Sequence, residues 1–239
     1  MSPLKKCNYC GSLTKKNGCQ TNGKQRIKCL SKLCGKHMQI DYTYKAKKPE
    51  VWLLFSKFNQ VNIPIRKLAK FLEINEKTVA KWIQKALAIQ PYYDFKSGCD
   101  YDIDELRSYI GQRKMGLVHI CYGWNIDYKK PVGLVVGGCS SEDLEPVTKL
   151  VTSFSPNKVT TDGLSTYKKL LKKVPHTVGK HAANNIERQH VNLRKDMSNL
   201  SRKTICFARS INMLKARIMW YFWGNQDPLF FLKESTFLQ

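Results

Sequence analysis

The stretch YDIDELRSYIGQRKMGLVHICYGWNIDYKKPVGLVVG, residues 101–137, decides the fold class. Three segments within it, 101–110, 115–126 and 131–137, are rich in β-branched and aromatic residues, and glycine or basic polar turns divide them. That pattern predicts three strands in an antiparallel meander. Downstream the period changes. SEDLEPVTKLVTSF (141–154) predicts a helix with acids in its first turn, where the helix dipole favours negative charge. NKVTTDG (157–163) predicts a short strand ending at Asp162, LSTYKKLLKK (164–173) a helix and HTVGK (176–180) a strand; a long helical pattern starts near Asn184. The order β-β-β-α-β-α-β-α implies an α/β class, a mixed sheet covered by helices.

Upstream of this region the sequence changes character twice. Cys7 and Cys10 form one knuckle and Cys29 with Cys34 another, giving C-x2-C-x18-C-x4-C. Between the pairs, Asn17-Gly18 and Asn22-Gly23 carry turn chemistry, so a hairpin can bring four thiolates to one structural Zn²⁺. A segment this short and basic cannot bury a core alone, and a metal supplies the missing folding free energy. Cys19 and His37 are the alternative ligands, and Lys15, Lys16, Lys24, Arg26 and Lys28 line the same ribbon. After Pro49, Val51, Leu54, Phe55 and Phe58 repeat at helical spacing up to Gln60. Pro64 can open a helix over 65–72, and Asn75 can cap another over 76–87 whose Val79, Trp82 and Ile83 face inward. Helix, tight turn and helix predict a helix-turn-helix, in which Glu76, Lys77, Thr78 and Lys81 would meet bases or phosphates. A small helical hairpin that only packs a core is the competing reading. The divisions expected are 1–48 for a zinc-ribbon DNA-binding module, 49–90 for the helix-turn-helix, 91–223 for the α/β domain and 224–239 for a tail.

Charge narrows the class of partner. The chain has 239 residues, with 41 Lys and Arg against 18 Asp and Glu, a net charge of +23. Such a surface suits a polyanion, nucleic acid before an anionic membrane surface, since no helix pattern pairs a clean apolar face with a basic rim; with the helix-turn-helix pattern, double-stranded DNA is the partner expected. A 42% hydrophobic content excludes wholesale disorder. No apolar run approaches the roughly 20 residues of a membrane span, and MSPLKKC does not read as an export signal, so a cytoplasmic, nucleoid-associated location is expected. Nine cysteines in a reducing compartment then favour metal binding over disulfides. Residues 1–48 carry twelve basic residues and one acid, and 163–218 carry thirteen and two, whereas 100–162 hold nine acids. Acids concentrated in a polyanion-binding chain either hold cations or merely balance a solvated face.

Three carboxylates stand out: Asp104 in the first strand, Asp162 closing the fourth, and Glu187 in the first turns of the long helix, with 24 residues between it and Asp162. Carboxylates converging from separate elements can hold two divalent ions for phosphoryl transfer. The set TDG (161–163), VGK (178–180), IERQHVNLRK (186–195) and RKTICFARS (202–210) resembles the catalytic region of the IS-one (insertion sequence one) family of bacterial DDE transposases. DELRSYIG (104–111) occupies the place of that family's first acidic strand. The ribbon and helix-turn-helix belong to the same family pattern, and the 24-residue gap matches it, so the resemblance spans nearly the whole chain. It implies a ribonuclease-H-like core in which Asp104, Asp162 and Glu187 bind Mg²⁺ or Mn²⁺. It further implies hydrolytic cleavage at terminal inverted repeats, attack of the freed 3′-OH on target DNA, no covalent protein–DNA intermediate, and a homo-oligomer.

The residues around these acids add detail. Glu187, His190 and Arg194 share one helix face, while Ile186, Leu193, Met197 and Leu200 lie on or near another that packs on the sheet. Arg188, Arg194, Lys195, Arg202, Lys203 and Arg209 form a basic run, either a DNA track or a solvated face, and Lys180 and His181 are candidate phosphate contacts with the same alternative. His190 either orients a metal ligand or phosphate, or makes a plain polar contact. Asp102 shares a strand face with Asp104 and is the reserve for the first acid. The sequence departs from the family pattern at 106–108, where an aromatic is usual, and at His181. Cys99, Cys121, Cys139 and Cys206 lack ligand spacing and read as buried thiols. The tail is aromatic-rich without a motif. Two other functions compete: a non-catalytic DNA-binding regulator of the element, and a metal-dependent nuclease or resolvase that cuts without strand transfer.

Overall fold

The computed structural model describes residues 6–7, 10–21, 23–39, 45–111, 116–179, 184–201 and 208–224. Two compact units divide within the first helix, the N-terminal one reaching Leu53 and the larger beginning at Leu54. In the N-terminal unit, strands β1 (Thr14–Cys19), β2 (Gln25–Cys29) and β3 (His37–Gln39) pair antiparallel with β2 in the centre. Gly11 and Gly35 each follow the second cysteine of a pair at φ +71 and +54, where a side chain would be strained. Those left-handed glycines let Gly11 N–H reach Cys7 O at 2.8 Å and Gly35 N–H reach Ser31 O at 2.8 Å, closing each knuckle. Of the described residues in this ribbon, Cys7, Ile27 and Cys29 make up the buried apolar set, too little to hold it folded unaided.

The larger unit runs through helices α1 (Pro49–Gln60), α2 (Ile65–Leu72) and α3 (Glu76–Gln84), then strands β4 (Asp100–Tyr109), β5 (Leu117–Asn125) and β6 (Lys130–Gly137). Helix α4 (Ser141–Ser153), strand β7 (Lys158–Thr161), helix α5 (Ser165–Leu170) and strand β8 (His176–Val178) follow. Helices α6 (Asn184–Asp196), α7 (Ser198–Ser201) and α8 (Ile211–Trp223) complete it. The sheet order is β6-β5-β4-β7-β8, antiparallel across β4, β5 and β6 and parallel across β4, β7 and β8. This is the mixed, helix-covered α/β sheet that the alternation of periods predicts. Several elements are shorter than the sequence pattern implies: the helix expected over 76–87 is regular only to Gln84 and tightens into a 3₁₀ turn over Lys85–Ala88, and the strand expected over 176–180 ends at Val178. The helix expected over 164–173 stops at Leu170, because the chain must turn extended before Pro175, whose ring disfavours helical backbone at Val174. The long pattern from Asn184 divides at Met197 into α6 and α7.

Strand alternation sorts the core into two layers. Tyr101 and Ile103 of β4, Cys121 of β5 and Val159 of β7 pack with Leu144, Val147 and Val151 of α4 and Tyr167 of α5. Leu106, Val118, Ile120 and Tyr122 face the other way, against Ile186 and Leu193 of α6, Leu200 of α7, and Leu214 and Ile218 of α8. Burying these side chains is worth about 1.5–3 kcal/mol each, which is what holds the helices to the sheet.

Helices α1 and α3 pack on α8, and α2 packs on α3. Asn75 caps α3, its side chain accepting the Lys77 N–H at 2.8 Å, and Val79, Trp82 and Ile83 are buried as their spacing implies. Glu73 ends α2 in the left-handed region at φ 51, making the tight turn between the two helices. Phe55 meets Trp82 and Trp220 edge-on at 5.1 and 5.3 Å, and the Trp220 indole N–H donates to Ile83 O at 3.1 Å. Arg217, half-buried, donates to Asn62 Oδ1 at 2.7 Å and to Ile63 O at 3.3 Å. One side of α8 therefore belongs to the sheet's core and another to the helical hairpin. Among the described residues no helix is long and apolar enough to cross a membrane.

Candidate active site

Strand β7 pairs with β4 only as far as Ile103↔Thr161. The next step of that register sets Asp104 and Asp162 side by side just where β7 leaves the sheet. Asp162 is exposed, and its Oδ1 accepts the Leu164 N–H at 3.0 Å, a turn that fixes the carboxylate at the strand's end. Asp104 Oδ1 accepts the Glu105 N–H at 2.8 Å, leaving Oδ2 turned towards α6. Glu105 projects to the opposite face, where the buried Tyr167 hydroxyl donates to it and Cys121 Sγ lies 3.6 Å behind that hydroxyl. One ligand oxygen from each of Asp104, Glu105 and Asp162 falls within 4.8 Å of the others.

Glu105 is the member that sequence reasoning missed. Strand alternation sends neighbouring side chains to opposite faces, so nothing within β4 alone sets two consecutive acids in one site. The early end of β7 opens the sheet edge there, and both faces drain into one notch. Glu187 lies exposed on α6, outside that 4.8 Å group, yet close enough for its charge to act on Asp104. Asp102, the reserve for the first acid, is 1% exposed, and its carboxylate faces the start of α6, where the Asn185 side chain and the backbone of Asn185 and Ile186 favour its charged form. Burial raises its pKa.

The electrostatics of the notch suit a cation. Burial pushes the Asp104 carboxyl up to about 6, the charges of Asp162, Glu187 and Asp102 adding to it against the Glu105 N–H hydrogen bond. Burial likewise pushes Glu105 up to about 7, with Asp162 and Asp104 adding. Among the described residues no lysine or arginine forms an ion pair with any of the three; His190 Nδ1 lies 3.6 Å from Asp104 Oδ2. Hard oxygen donors crowded together without a counterion match Mg²⁺ or Mn²⁺ chemistry.

A pH dependence follows. Because the folded-state pKa of Asp104 is raised, the cost of ionising it is absent below about pH 4 and complete above its folded value of about 6. That rise corresponds to at most roughly 3 kcal/mol. Asp104→Asn is therefore expected to raise the melting temperature of the metal-free protein at pH 7.5, by up to about 6–12 °C for a chain this size, with the gain vanishing towards pH 4. Thermal melts of both proteins across that range check it. A variant melting no higher than wild type at pH 7.5 contradicts the electrostatic account.

The basic residues proposed for DNA sit as follows. Lys77 and Lys81 are exposed at the start and middle of α3, and Thr78 is half-buried. Arg188, Arg194 and Lys195 are exposed along α6, the helix that carries Glu187. Lys180, His181, Arg202, Lys203, Cys206 and the tail from 225 lie outside the described residues. Of the remaining thiols read as buried, Cys99 and Cys121 are, while Cys139 is only half-buried because it lies in the loop between β6 and α4.

A second donor cluster occupies the ribbon. Cys7 and Cys34 Sγ are 3.8 Å apart and Cys10 and Cys29 Sγ 3.5 Å, and all four sulfurs lie within 4.8 Å of one another. Four thiolates about 2.3 Å from one Zn²⁺ in a tetrahedron stand about 3.8 Å apart, so the cage fits that ion, whereas disulfides are excluded by the same spacing. Hydrogen bonds from Ser12 bring the Cys10 thiol down to about 6, and burial pushes Cys29 up to about 12. The alternative ligands turn elsewhere: Cys19 Sγ lies 3.9 Å from Gln25 Oε1, and His37 Nδ1 2.8 Å from Asn17 Nδ2.

Comparison with known proteins bears on this arrangement. Residues 99–225, which contain every acid of the notch, match the family model described as IS1 transposase. The chain is 30% identical over 112 residues to the insertion element iso-IS1n protein InsB of Shigella dysenteriae, a match covering 47% of this chain and 85% of that protein. It is 28% identical over 112 residues, with the same coverage, to the insertion element IS1 protein InsB of Shigella flexneri.

Proposed function

The chain belongs to the IS1 transposase family, a family of DNA-processing enzymes, and from that premise we propose that it binds terminal inverted repeats and catalyses metal-dependent strand cleavage followed by 3′-OH strand transfer. The meeting of acids from the middle of β4 and the end of β7, beneath the helix carrying Glu187, is the observation that carries this reading. The mixed sheet order supports a ribonuclease-H-like, DDE-type core. Bound there, a pair of Mg²⁺ or Mn²⁺ ions supplies Lewis acidity at the scissile phosphate and its attacking oxygen.

The chain's own residues do the rest. Asp104, Asp162 and Glu187 are the proposed ligands, and Glu105 contributes negative charge to the same notch. The backbone N–H groups of Glu105 and Leu164 each hold one aspartate oxygen, so the carboxylates are oriented before DNA arrives. Arg188, Arg194 and Lys195 line α6 for phosphates, with Lys180, Arg202 and Lys203 proposed beside them. Lys77, Thr78 and Lys81 of α3 are proposed to meet the element end, and the Zn²⁺-loaded ribbon adds a basic surface. A homo-oligomer is the proposed working form.

Incubation with a labelled element end, Mg²⁺ and a target plasmid tests the proposal. Labelled strands joined to the plasmid are the expected product. Nicked ends without joining support a nuclease, and binding without cleavage supports a regulator.

A further inference from the structure

We propose that His190 is a positioning residue, whose Nδ1–H holds Asp104 in place and fixes α6, with Glu187, against strand β4. The inference rests on the metal-site reading given above. Asp104 has one oxygen already engaged by the Glu105 N–H, and the other, Oδ2, faces His190 Nδ1 at 3.6 Å. The imidazole cannot swing aside. It is 6% exposed and lies edge-on to Tyr122 at 5.4 Å, and Tyr122 is the cross-strand partner of Asp104 on β5. A movement of about half an ångström brings the 3.6 Å contact to hydrogen-bonding length, as happens when catalytic groups tighten around a bound substrate.

The burial of this ring has a cost. Nε2 is buried without a hydrogen-bond partner among the described residues, a loss of about 1–3 kcal/mol that a leucine or phenylalanine would not incur. A side chain needed only to fill the space between α6 and Tyr122 would be apolar. The nitrogen therefore has work to do, and the acid group that the other ring nitrogen faces is Asp104. Because Glu187 precedes His190 by three residues on the same helix, the contact couples the first acid to the third.

Three variants of the full chain separate the roles. The amide nitrogen of His190→Asn can occupy the place of Nδ1, that of His190→Gln reaches the place of Nε2, and His190→Phe fills the space without a donor. Calorimetric titration with Mn²⁺ alone, and cleavage of a labelled element-end duplex, are the readouts, with Asp104→Asn as reference. His190→Phe and His190→Gln are expected to weaken Mn²⁺ binding and slow cleavage about 10–100-fold, at unchanged duplex affinity, and His190→Asn to stay within about threefold of wild type. In ¹⁵N-histidine spectra the signal that disappears in His190→Asn should be that of a ring protonated on Nδ1. Wild-type Mn²⁺ binding in His190→Phe, or an equal defect in His190→Asn and His190→Phe at equal melting temperature, overturns the inference while leaving the metal site intact. Mn²⁺ binding and cleavage that survive in Asp104→Asn overturn the metal-site reading, and His190 with it.

Discussion

Asp162→Asn is expected to slow strand cleavage by about 10³-fold or more, roughly 4 kcal/mol of barrier, while duplex affinity stays within about twofold of wild type. The substitution is nearly isosteric, and its amide oxygen can still accept the Leu164 N–H that shapes the turn after β7. What it removes is a negative charge and an anionic oxygen donor at the point where β4 and β7 part. The side chain is exposed, so no core packing is lost. Single-turnover cleavage of a labelled end in Mg²⁺, beside fluorescence anisotropy for binding, gives both quantities. Cleavage persisting at the wild-type rate rejects Asp162 as a ligand.

The second large effect lies in the ribbon. Cys7→Ser replaces one thiolate of the cage by a poor zinc ligand, in a sheet whose buried apolar residues are few. Structural zinc contributes about 10–16 kcal/mol to such modules, far more than this small core can offset. Bound zinc should fall from one per chain to none, the amide signals of β1 to β3 should collapse, and affinity for the element end should drop about 10²-fold. Mn²⁺ binding at the acidic notch should persist. Native mass spectrometry and amide spectra measure these changes, and an unaltered zinc content contradicts the assignment.

Much of this was legible in the sequence because the signals are local. The two cysteine pairs, the Asn75 cap and the switch from strand to helix period after Gly137 each depend on a few neighbouring residues, and the elements form where those patterns lie. Asp104 and Asp162 could be paired because each lies in or just after a strand and the family resemblance singles out both. The misses arise where tertiary structure decides. Glu105 enters the notch because β7 stops at Thr161, and no pattern within β4 announces where its neighbour will end. His190 looked like one polar residue on a helix face, whereas burial against Tyr122 makes its ring nitrogens matter. The partnership of Trp220 with Ile83, 137 residues apart, has no local signature at all.

That last contact has a consequence for how an element end is measured. Since α8 is shared by the helical hairpin and the acid-bearing sheet, the two are joined through solid packing as well as through the strand of chain between them. If α3 reads the element end and the notch cuts it, as proposed, the number of base pairs between the two becomes a fixed gauge. Lengthening that DNA interval by half a turn should leave the letters recognised and the bond out of reach.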